Sequence, residues 1–499
     1  MYHIIVVIMD KKKIIVIGGG LSGLTASYLL LKNGFDVTII EKNANLGGFC
    51  TTYLKNDAYI DTCIHYLVGC KKSELTSLYN QLGFFDNNKI IHFPYFYRFH
   101  YFDKKIDILR DFNSFKKELE SLSLKEDKKE LDKFFKNIKS FYHFPIKTDK
   151  SMNRMNILDY INLLLKNFSG IKAYMKYKKV SIDEYASRFK TPIINNFIRS
   201  MMPNEVSIVP FLGLLSSFFK GNADTISFSS KEVIENIKKR ILNLGGKIIL
   251  NEEIINFNIA DNKIASIKSN KNEYKGDYYI SALPLTYLYS NLLKKEYQDE
   301  EKIQTLFDYK NNTPLSAFLV YYKIKPSYNS QISDYFIKYI PGGFKCITST
   351  NKSIGFKYYS NIINKDNSHT LVCIIDQNYD DYLKWKSMKE DEYNKTKIEI
   401  SNRIEKELLS LIPVLKDHIE LVEVLTPKSL YEYTYNFGGC YMANLMSKTT
   451  NKNDYKYSSS KIKNIIYSSI WMTNLGGIPS ALTSGEFAYK ELLYKLKKD

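Results

Sequence analysis

The chain has 499 residues, is 44% hydrophobic and 14% aromatic, and carries a formal net charge of +18. Its length and apolar content predict a globular protein of two interleaved domains. The charge fits either a lysine-rich composition alone or attraction to an anionic membrane surface. Nucleic acid is not expected as a partner, because no nucleic-acid recognition motif accompanies the charge.

Cysteine usage and hydropathy limit the location of the protein. The six cysteines form no C-x-x-C pair and the seven histidines are scattered, so we expect reduced thiols and no metal site. No segment reaches the roughly 18 apolar residues of a membrane span. The apolar run 1–8 precedes its positive charges, unlike a signal peptide, and Met9 is the expected initiator. We expect a cytoplasmic protein, either soluble or peripheral on the inner face of the membrane.

A strand followed by a glycine turn begins the main motif of the chain. Residues 14–17 are Ile-Ile-Val-Ile, a β-branched run typical of a strand buried on both faces of a parallel sheet. Residues 18–23 then form a G-x-G-x-x-G turn, and residues 24–33 are predicted to be helical. A second predicted strand, 37–40, ends in Glu41, and 41 − 23 = 18 residues separate this acid from the last glycine. This order is typical of a dinucleotide-binding unit.

The chemistry of a dinucleotide explains these residue types. Gly18 permits a tight turn, Gly20 lets the backbone approach a pyrophosphate, and Gly23 lets the helix pack closely on the strand. The first helical N–H groups and the helix dipole then face the anion, and the acid binds the adenine ribose. The predicted cofactor contacts in this segment are Gly18, Gly20, Leu21, Ser22, Gly23, Glu41 and Lys42.

The next segment indicates which dinucleotide is bound. A glycine pair, Gly47 and Gly48, follows the ribose acid, and residues 61–69 fit D-x-x-x-H-x-x-x-G. These motifs resemble those of the phytoene desaturase, carotenoid isomerase and retinol saturase group of flavoproteins, which usually has a glycine at the position of Cys63. The resemblance extends over nearly the whole chain. It implies non-covalent FAD, with the glycine pair near the pyrophosphate or the flavin.

Residues 104–220 differ in character and are predicted to be helical. Residues 123–126 and 181–184 fit capping boxes, and 191–192 is Thr-Pro, a typical helix start. Apolar residues between 131 and 142 recur at helical spacing. In the family that the chain resembles, this region caps the substrate tunnel.

One part of this block, residues 156–179, combines many apolar side chains with five lysines. Two interpretations stay open. The segment is either a helix hairpin buried against the domain, or a helix that lies in a membrane interface with its lysines facing lipid phosphates.

The middle of the chain is predicted to return to the cofactor domain and then to form a second sheet. A helix at 230–244 and strands at 247–250, 264–267 and 277–281 suit the cofactor domain. The resemblance places Ile254 against the adenine. Strands at 316–323, 335–340 and 370–375 predict an antiparallel substrate sheet, and the resemblance places residues 426–439 near the isoalloxazine end of the tunnel.

The C-terminal segment repeats the order of strand, glycine turn and helix. Residues 465–471 are predicted to be a strand, and residues 480–496 a helix, with a glycine-rich turn between them. Such a turn suits a second polar part of the same ligand. It resembles the closing motif of the family and implies further cofactor contacts from Trp471, Gly476, Gly477 and Ile478.

The sequence therefore predicts an α/β fold. A Rossmann-type FAD-binding domain of the three-layer flavoprotein kind is interleaved with an antiparallel-sheet substrate domain and a helical cap. The cofactor domain is predicted to comprise residues 10–103, 221–285 and 441–499, the cap 104–220 and the substrate domain 286–440.

The resemblance implies an FAD-dependent oxidoreductase that desaturates, saturates or isomerises a lipophilic polyene or isoprenoid. An electron acceptor or donor of unknown identity would be its redox partner. Because fold does not fix chemistry, two alternatives stay open. They are oxidation of an amine, as in related folds, and a membrane-associated flavin-binding protein without turnover.

The flavin itself is expected to perform the redox step, since no Ser/His/Asp arrangement, metal cluster or reactive C-x-x-C is apparent. His65 is the one titratable residue in a motif near the cofactor. An ordinary histidine pKa of about 6.5 would let it move a proton at neutral pH. The alternative is a histidine that only hydrogen-bonds the loop around Asp61.

Overall fold

The computed structural model describes residues 11–63, 65–86, 90–145, 147–227, 229–325, 334–450, 455–473 and 476–498. The expected initiator Met9 lies outside the described residues. So do Ile64, in the predicted 61–69 motif, and residues 474–475, in the C-terminal glycine turn.

Twenty-two strands and fifteen α-helices, besides short 3₁₀ and π segments, are found in the described part of the chain. The strands are β1 Lys13–Ile17, β2 Asp36–Ile40, β3 Thr52–Lys55, β4 Ala58–Asp61, β5 Leu67–Val68, β6 Ile90–Ile91, β7 Tyr95–Tyr101, β8 Lys104–Leu109, β9 Ala223–Ile226, β10 Lys247–Ile249, β11 Ile254–Ala260, β12 Lys263–Ser269, β13 Glu273–Tyr274, β14 Tyr278–Ser281, β15 Thr313–Pro314, β16 Ser316–Ile324, β17 Tyr335–Lys345, β18 Thr350–Ile363, β19 His369–Gln377, β20 Ile419–Leu425, β21 Asn444–Leu445 and β22 Ile465–Tyr467. The helices are α1 Leu21–Lys32, α2 Thr76–Leu82, α3 Phe112–Leu122, α4 Lys128–Ser140, α5 Ile157–Tyr177, α6 Ile182–Ala186, α7 Pro192–Arg199, α8 Ile208–Phe219, α9 Ser230–Asn243, α10 Leu285–Tyr287, α11 Glu300–Leu306, α12 Tyr379–Ser387, α13 Glu390–Leu411, α14 Pro427–Thr434 and α15 Gly477–Leu496.

A five-stranded parallel sheet forms the centre of the cofactor domain. Its strand order is β10-β2-β1-β14-β22, and every pairing is parallel. The Ile-Ile-Val-Ile run of β1 is fully buried, as predicted, because α1 and α15 pack together on the sheet. Strands that are distant in the chain thus meet at one edge, where their carboxyl ends define a ligand crevice.

A seven-stranded sheet of order β20-β16-β19-β18-β17-β7-β8 forms the second domain. It is antiparallel as predicted except at β17 and β7, which pair in parallel. Its outer face packs on α12 and α13. Its inner face is turned towards the cofactor domain. It contacts β4 and Phe49, which follows the second glycine pair. Strand β7 lies in this sheet, although it falls within the predicted cofactor segment 10–103.

The cap is helical, as predicted, but one local expectation is wrong, and one of the two open interpretations of residues 156–179 does not hold. Ser123 ends α3 and donates its hydroxyl to the Glu120 carbonyl oxygen, so no capping box forms at 123–126. Residues 157–177 form one helix bent at Asn167 rather than a buried hairpin. The capping box at Ser181 and the proline at the start of α7 are confirmed.

Other boundaries shift for physical reasons. The C-terminal strand ends at Tyr467 rather than at 471, because Ser469 caps a short 3₁₀ turn over Ile470–Met472. The 14-residue strand β18 was not predicted from the sequence. Its polar residues at 350–353 and 360–361 hide the alternation that marks a strand.

Candidate active site

The first glycine turn lines a cleft at the carboxyl ends of the parallel strands. Gly18 has a φ of +100°, and a Cβ on Gly23 would stand 2.2 Å from the Gly18 carbonyl oxygen. A Cβ on Gly20 would meet no atom within 4 Å. Gly20 is also the N-cap of α1 and has no side chain to cap it. The first N–H groups of the helix are therefore available to an anion, as a pyrophosphate requires.

Glu41 lies at the end of β2 and lines the same cleft. Its carboxylate accepts hydrogen bonds from the Gly19 and Asn43 N–H groups, at 2.7 and 2.9 Å. Burial raises the pKa of Glu41, and the two backbone donors act in the opposite direction. The remaining lone pairs of this fixed carboxylate suit the hydroxyl groups of a ribose.

The second glycine pair folds back onto the first turn. Gly47 donates its N–H to the Gly19 carbonyl oxygen at 2.8 Å. Gly47 and Gly48 have φ values of +109° and +60°, which favour glycine. A Cβ on Gly48 would lie 3.3 Å from the Gly20 Cα. Both residues line the cleft beside the predicted pyrophosphate position.

The start of α15 also contributes to the cleft. Gly477 and Ile478 line it, together with Ser469 and Ile470. Gly476 instead supports the turn, since a Cβ there would stand 2.4 Å from the Met442 carbonyl oxygen. Trp471 lies behind the lining and donates its indole N–H to the Asn436 side-chain oxygen at 2.8 Å.

A stacked pair of tyrosines marks the end of the cleft beside Glu41. The rings of Tyr287 and Tyr435 lie 4.2 Å apart at 16°, and both hydroxyls donate to the Glu253 carboxylate. The Lys42 ammonium lies 4.1 Å from the centre of the Tyr435 ring. Sequence reasoning did not predict this pairing, because Tyr287 belongs to no motif and Tyr435 lies in the segment 426–439, far from it in the chain. The Glu432 and Tyr433 carbonyl oxygens accept hydrogen bonds from the Lys42 and Asn43 side chains, so this part of the segment 426–439 lies beside the predicted ribose acid Glu41.

The cleft is also lined by Phe49, Cys50, Cys63 and Tyr441. We call this part the predicted flavin end of the cleft, because Phe49 directly follows the glycine pair that the resemblance places near the pyrophosphate or the flavin. The Phe49 and Tyr441 rings are stacked, with centres 6.1 Å apart. A hydrogen bond with Cys50 and burial both raise the pKa of the Cys63 thiol. This thiol is therefore protonated at neutral pH.

Asp61 is a structural residue of its motif. Its carboxylate accepts hydrogen bonds from the Ser230 N–H and hydroxyl, at 2.6 and 2.8 Å, and from the Thr52 hydroxyl at 2.8 Å. It thereby fixes the start of α9 against the hairpin of β3 and β4.

His65 does not line the cleft directly. Its Nδ1 lies 3.2 Å from the Tyr359 hydroxyl, which in turn lies 3.3 Å from the Asp61 carbonyl oxygen. Desolvation, followed by the nearby Lys357 charge, lowers the pKa of His65 to about 3. The expected titration near 6.5 is therefore wrong for this site. A neutral imidazole that links Tyr359 to the motif agrees better with the structural alternative.

Most of the predicted cofactor residues meet in this one cleft. Those that line it are Gly18, Gly20, Leu21, Ser22, Glu41, Lys42, Gly47, Gly48, Ile254, Gly477 and Ile478. Gly23, Gly476 and Trp471 support the lining from behind. Their contacts to the cofactor stay predictions. The open space at Gly20, the free helix start and the fixed acid fit FAD.

This fold and cleft define a dinucleotide-binding flavoprotein, and comparison with known proteins specifies its family. A family model described as flavin containing amine oxidoreductase matches residues 21–492. The chain belongs to this family. It is an FAD-dependent oxidoreductase, and its cofactor is FAD.

Two relatives in sequence are similar over different lengths. Human all-trans-retinol 13,14-reductase is 41% identical over 58 residues, which are 12% of this chain and 10% of that protein. A 1-hydroxycarotenoid 3,4-desaturase of a Flavobacterium species is 23% identical over 337 residues, 63% of this chain and 64% of that protein. The chain thus aligns with about a tenth of the length of the retinol reductase.

Two solved structures share the fold. A redesigned putrescine oxidase is 14% identical, with 97% of this chain and 99% of that chain covered and a TM-score of 0.65. An oxidoreductase from Methanosarcina mazei is 15% identical, with 97% and 100% covered and a TM-score of 0.58.

Substitution of His65 by glutamine tests its role. We expect His65→Gln to keep FAD and to change turnover by less than about tenfold, because a neutral glutamine amide can still hydrogen-bond Tyr359. Flavin absorbance and steady-state turnover between pH 6 and 8 measure this. General acid or base catalysis by His65 would instead lower turnover by about 10²-fold or more.

Proposed function

We propose that the protein desaturates, saturates or isomerises a carbon–carbon bond of a lipophilic polyene or isoprenoid. The observation that carries the proposal is an aromatic wall beside the flavin end of the cleft. We define this aromatic wall as Phe49, Tyr66, Tyr97, Tyr335, Tyr359 and Tyr441.

The aromatic wall offers an extended apolar surface. Tyr66, Tyr97 and Tyr335 lie within 4.2–5.9 Å of one another, ring centre to ring centre. Tyr66, Tyr97 and Tyr441 are only half-buried, and Tyr441 lines the cleft. Partly exposed aromatic faces suit a conjugated, apolar substrate. The names of the desaturase and retinol reductase relatives support the same substrate class.

FAD, when bound, supplies the redox chemistry by accepting or donating a hydride. The protein would orient the substrate and exclude water. The protonated Cys63 and the neutral His65 themselves introduce no charge beside an apolar substrate.

Anaerobic spectroscopy of the purified yellow protein tests the proposal. A desaturation substrate should bleach the oxidised flavin, and a saturation substrate should restore the absorbance of dithionite-reduced flavin. An isomerisation substrate should leave the flavin absorbance unchanged while its own polyene spectrum shifts. We expect one of these three responses with a long-chain polyene and none with an aliphatic amine. Bleaching by amines alone would overturn the proposal.

Oxidation of an amine is the second candidate, and Asp376 favours it. Its carboxylate accepts a hydrogen bond from the Tyr441 hydroxyl at 3.3 Å, and Tyr441 lines the flavin end of the cleft. Burial raises the pKa of Asp376 to about 6. It is thus mostly ionised at pH 7 and could pair with a substrate ammonium. In that case, Asp376→Asn should abolish bleaching by the amine.

None of the helices in the part of the chain that the structure describes has the length and apolar composition of a membrane span. We propose instead that α5 lies on an anionic lipid surface. Its apolar side chains are strongly exposed: Ile157 by 78%, Leu158 by 69%, Leu165 by 75% and Phe168 by 62%. Lys166, Lys172 and Lys176 are exposed on the same helix. An apolar surface flanked by lysines is typical of an interfacial helix.

Vesicle binding tests the α5 contact. We expect the protein to co-sediment with anionic vesicles at low salt and to be released as salt rises, because each lysine contributes about 1 kcal/mol near such a surface. Leu158→Asp combined with Leu165→Asp should abolish binding. Leu242→Asp is the matched control, since Leu242 is 48% exposed elsewhere. Equal binding by both variants would contradict the contact.

A further inference from the structure

Lys357 is a buried ammonium on the inner face of the seven-stranded sheet. It lies on β18 opposite Val372 of β19, two residues from Tyr359 of the aromatic wall. The lysine is 1% exposed. Its Nζ has no hydrogen-bond partner among the residues that the structure describes. An ammonium has three donors, so this environment leaves it short of acceptors.

The surroundings of Lys357 are mainly aromatic. Its Nζ lies 4.8 Å from the ring centre of Phe93 and 5.8 Å from those of Tyr66 and Tyr359. Such faces attract a cation but accept no strong hydrogen bond. Asp334 is the acid whose charge favours the protonated form. It is not hydrogen-bonded to Lys357, and its carboxylate accepts instead from the Ser360 hydroxyl.

Lys357 is also connected to the flavin end of the cleft. Tyr359 lies beside the lysine, and its hydroxyl hydrogen-bonds the His65 imidazole. The backbone N–H of His65 donates to the Cys63 carbonyl oxygen at 3.0 Å. Cys63 lines the cleft. Along β19 the same face carries Asp376, four residues and roughly 13 Å beyond Val372. The Lys357 ammonium therefore lies beside the aromatic wall, at a distance along the sheet from Asp376, the acid that contacts Tyr441.

We infer that Lys357 binds a carboxylate at the end of an elongated apolar substrate, which the aromatic wall holds against the flavin. This inference rests on the proposed polyene function, and it specifies that the substrate carries a carboxylate at one end. A carboxylate supplies the acceptors that the ammonium lacks. The flexible lysine stem lets the ammonium turn past the half-buried Tyr66 towards the ligand.

Ligand binding to the FAD-loaded protein tests the inference without turnover. The probes are all-trans-retinoic acid and its methyl ester, which differ only in the charged end, and the measurement is the perturbation of flavin absorbance. We expect the acid to bind about 30-fold more tightly than the ester. Lys357→Met should remove this preference. Lys338→Met is the control, because Lys338 lies on the opposite face and pairs with Glu407.

The outcomes separate this inference from the proposed function. Equal affinities of acid and ester for the wild-type protein would overturn the inference, and so would a preference that survives in Lys357→Met. Turnover of neutral polyenes without any acid preference would leave the proposed function standing and remove the role of Lys357. A Lys357-dependent preference for the acid without turnover of any polyene would leave the carboxylate site at Lys357 standing and remove the proposed function.

Discussion

Replacement of Gly20 by valine is expected to give a folded protein that purifies without flavin. A Cβ at this position meets no protein atom within 4 Å, so the substitution leaves the packing of the turn intact. The added methyl groups would instead occupy the side on which the pyrophosphate approaches the start of α1. We expect FAD affinity to fall by about 100-fold or more, equivalent to about 2.8 kcal/mol.

The flavin-to-protein absorbance ratio and the far-ultraviolet circular dichroism spectrum together measure this effect. Gly213→Val is a matched control, because a Cβ on Gly213 also meets no atom within 4 Å and Gly213 lies in α8 of the cap. Gly23→Val should fail differently, by misfolding, since its Cβ would overlap the Gly18 carbonyl oxygen. Stoichiometric flavin in Gly20→Val would refute the assignment of the pyrophosphate position.

The cofactor half of the site could be predicted because contiguous residues form it. The turn at 18–23, the acid Glu41 and the pair at 47–48 each occupy a short segment with its own backbone demands. Positive φ values and close approaches select glycine at several of these positions, so the sequence records the geometry directly. The parallel strands then bring the segments to one edge of the sheet.

The substrate half could not be predicted in this way. Lys357 and Asp376 lie on one face only because β18 and β19 pair in a particular antiparallel register. Tyr287 and Tyr435 stack although 148 residues separate them, since 435 − 287 = 148. No local pattern records such pairings. The exposed side of α5 was likewise ambiguous, because an apolar helical segment suits both a protein core and a lipid surface.

Removal of the Lys357 charge is expected to stabilise the protein at neutral pH. Burial lowers the pKa of Lys357 from 10.5 to about 8. Since the unfolded chain then holds this proton more tightly, the charged lysine costs the folded state about 3 kcal/mol at pH 7. The surrounding aromatic rings stabilise the charged ammonium in the folded state by about 1 kcal/mol. Lys357→Met, which keeps a flexible apolar stem, should therefore raise the free energy of unfolding by about 2 kcal/mol.

The pH dependence distinguishes this explanation from better packing by methionine. Because the folded pKa is lowered, the penalty is fully present below pH 8 and disappears as the pH rises towards 10.5. The gain of Lys357→Met over the wild type, measured by denaturant unfolding of FAD-saturated protein, should shrink over that window. Lys338→Met should instead be destabilised, since Lys338 pairs with Glu407. A constant gain across the window, or a loss of stability at pH 7, would contradict the buried charge. A stability gain of Lys357→Met that declines as the pH rises would mean that the charged Lys357 destabilises the wild-type protein. Such a cost is expected where a ligand requires the charge.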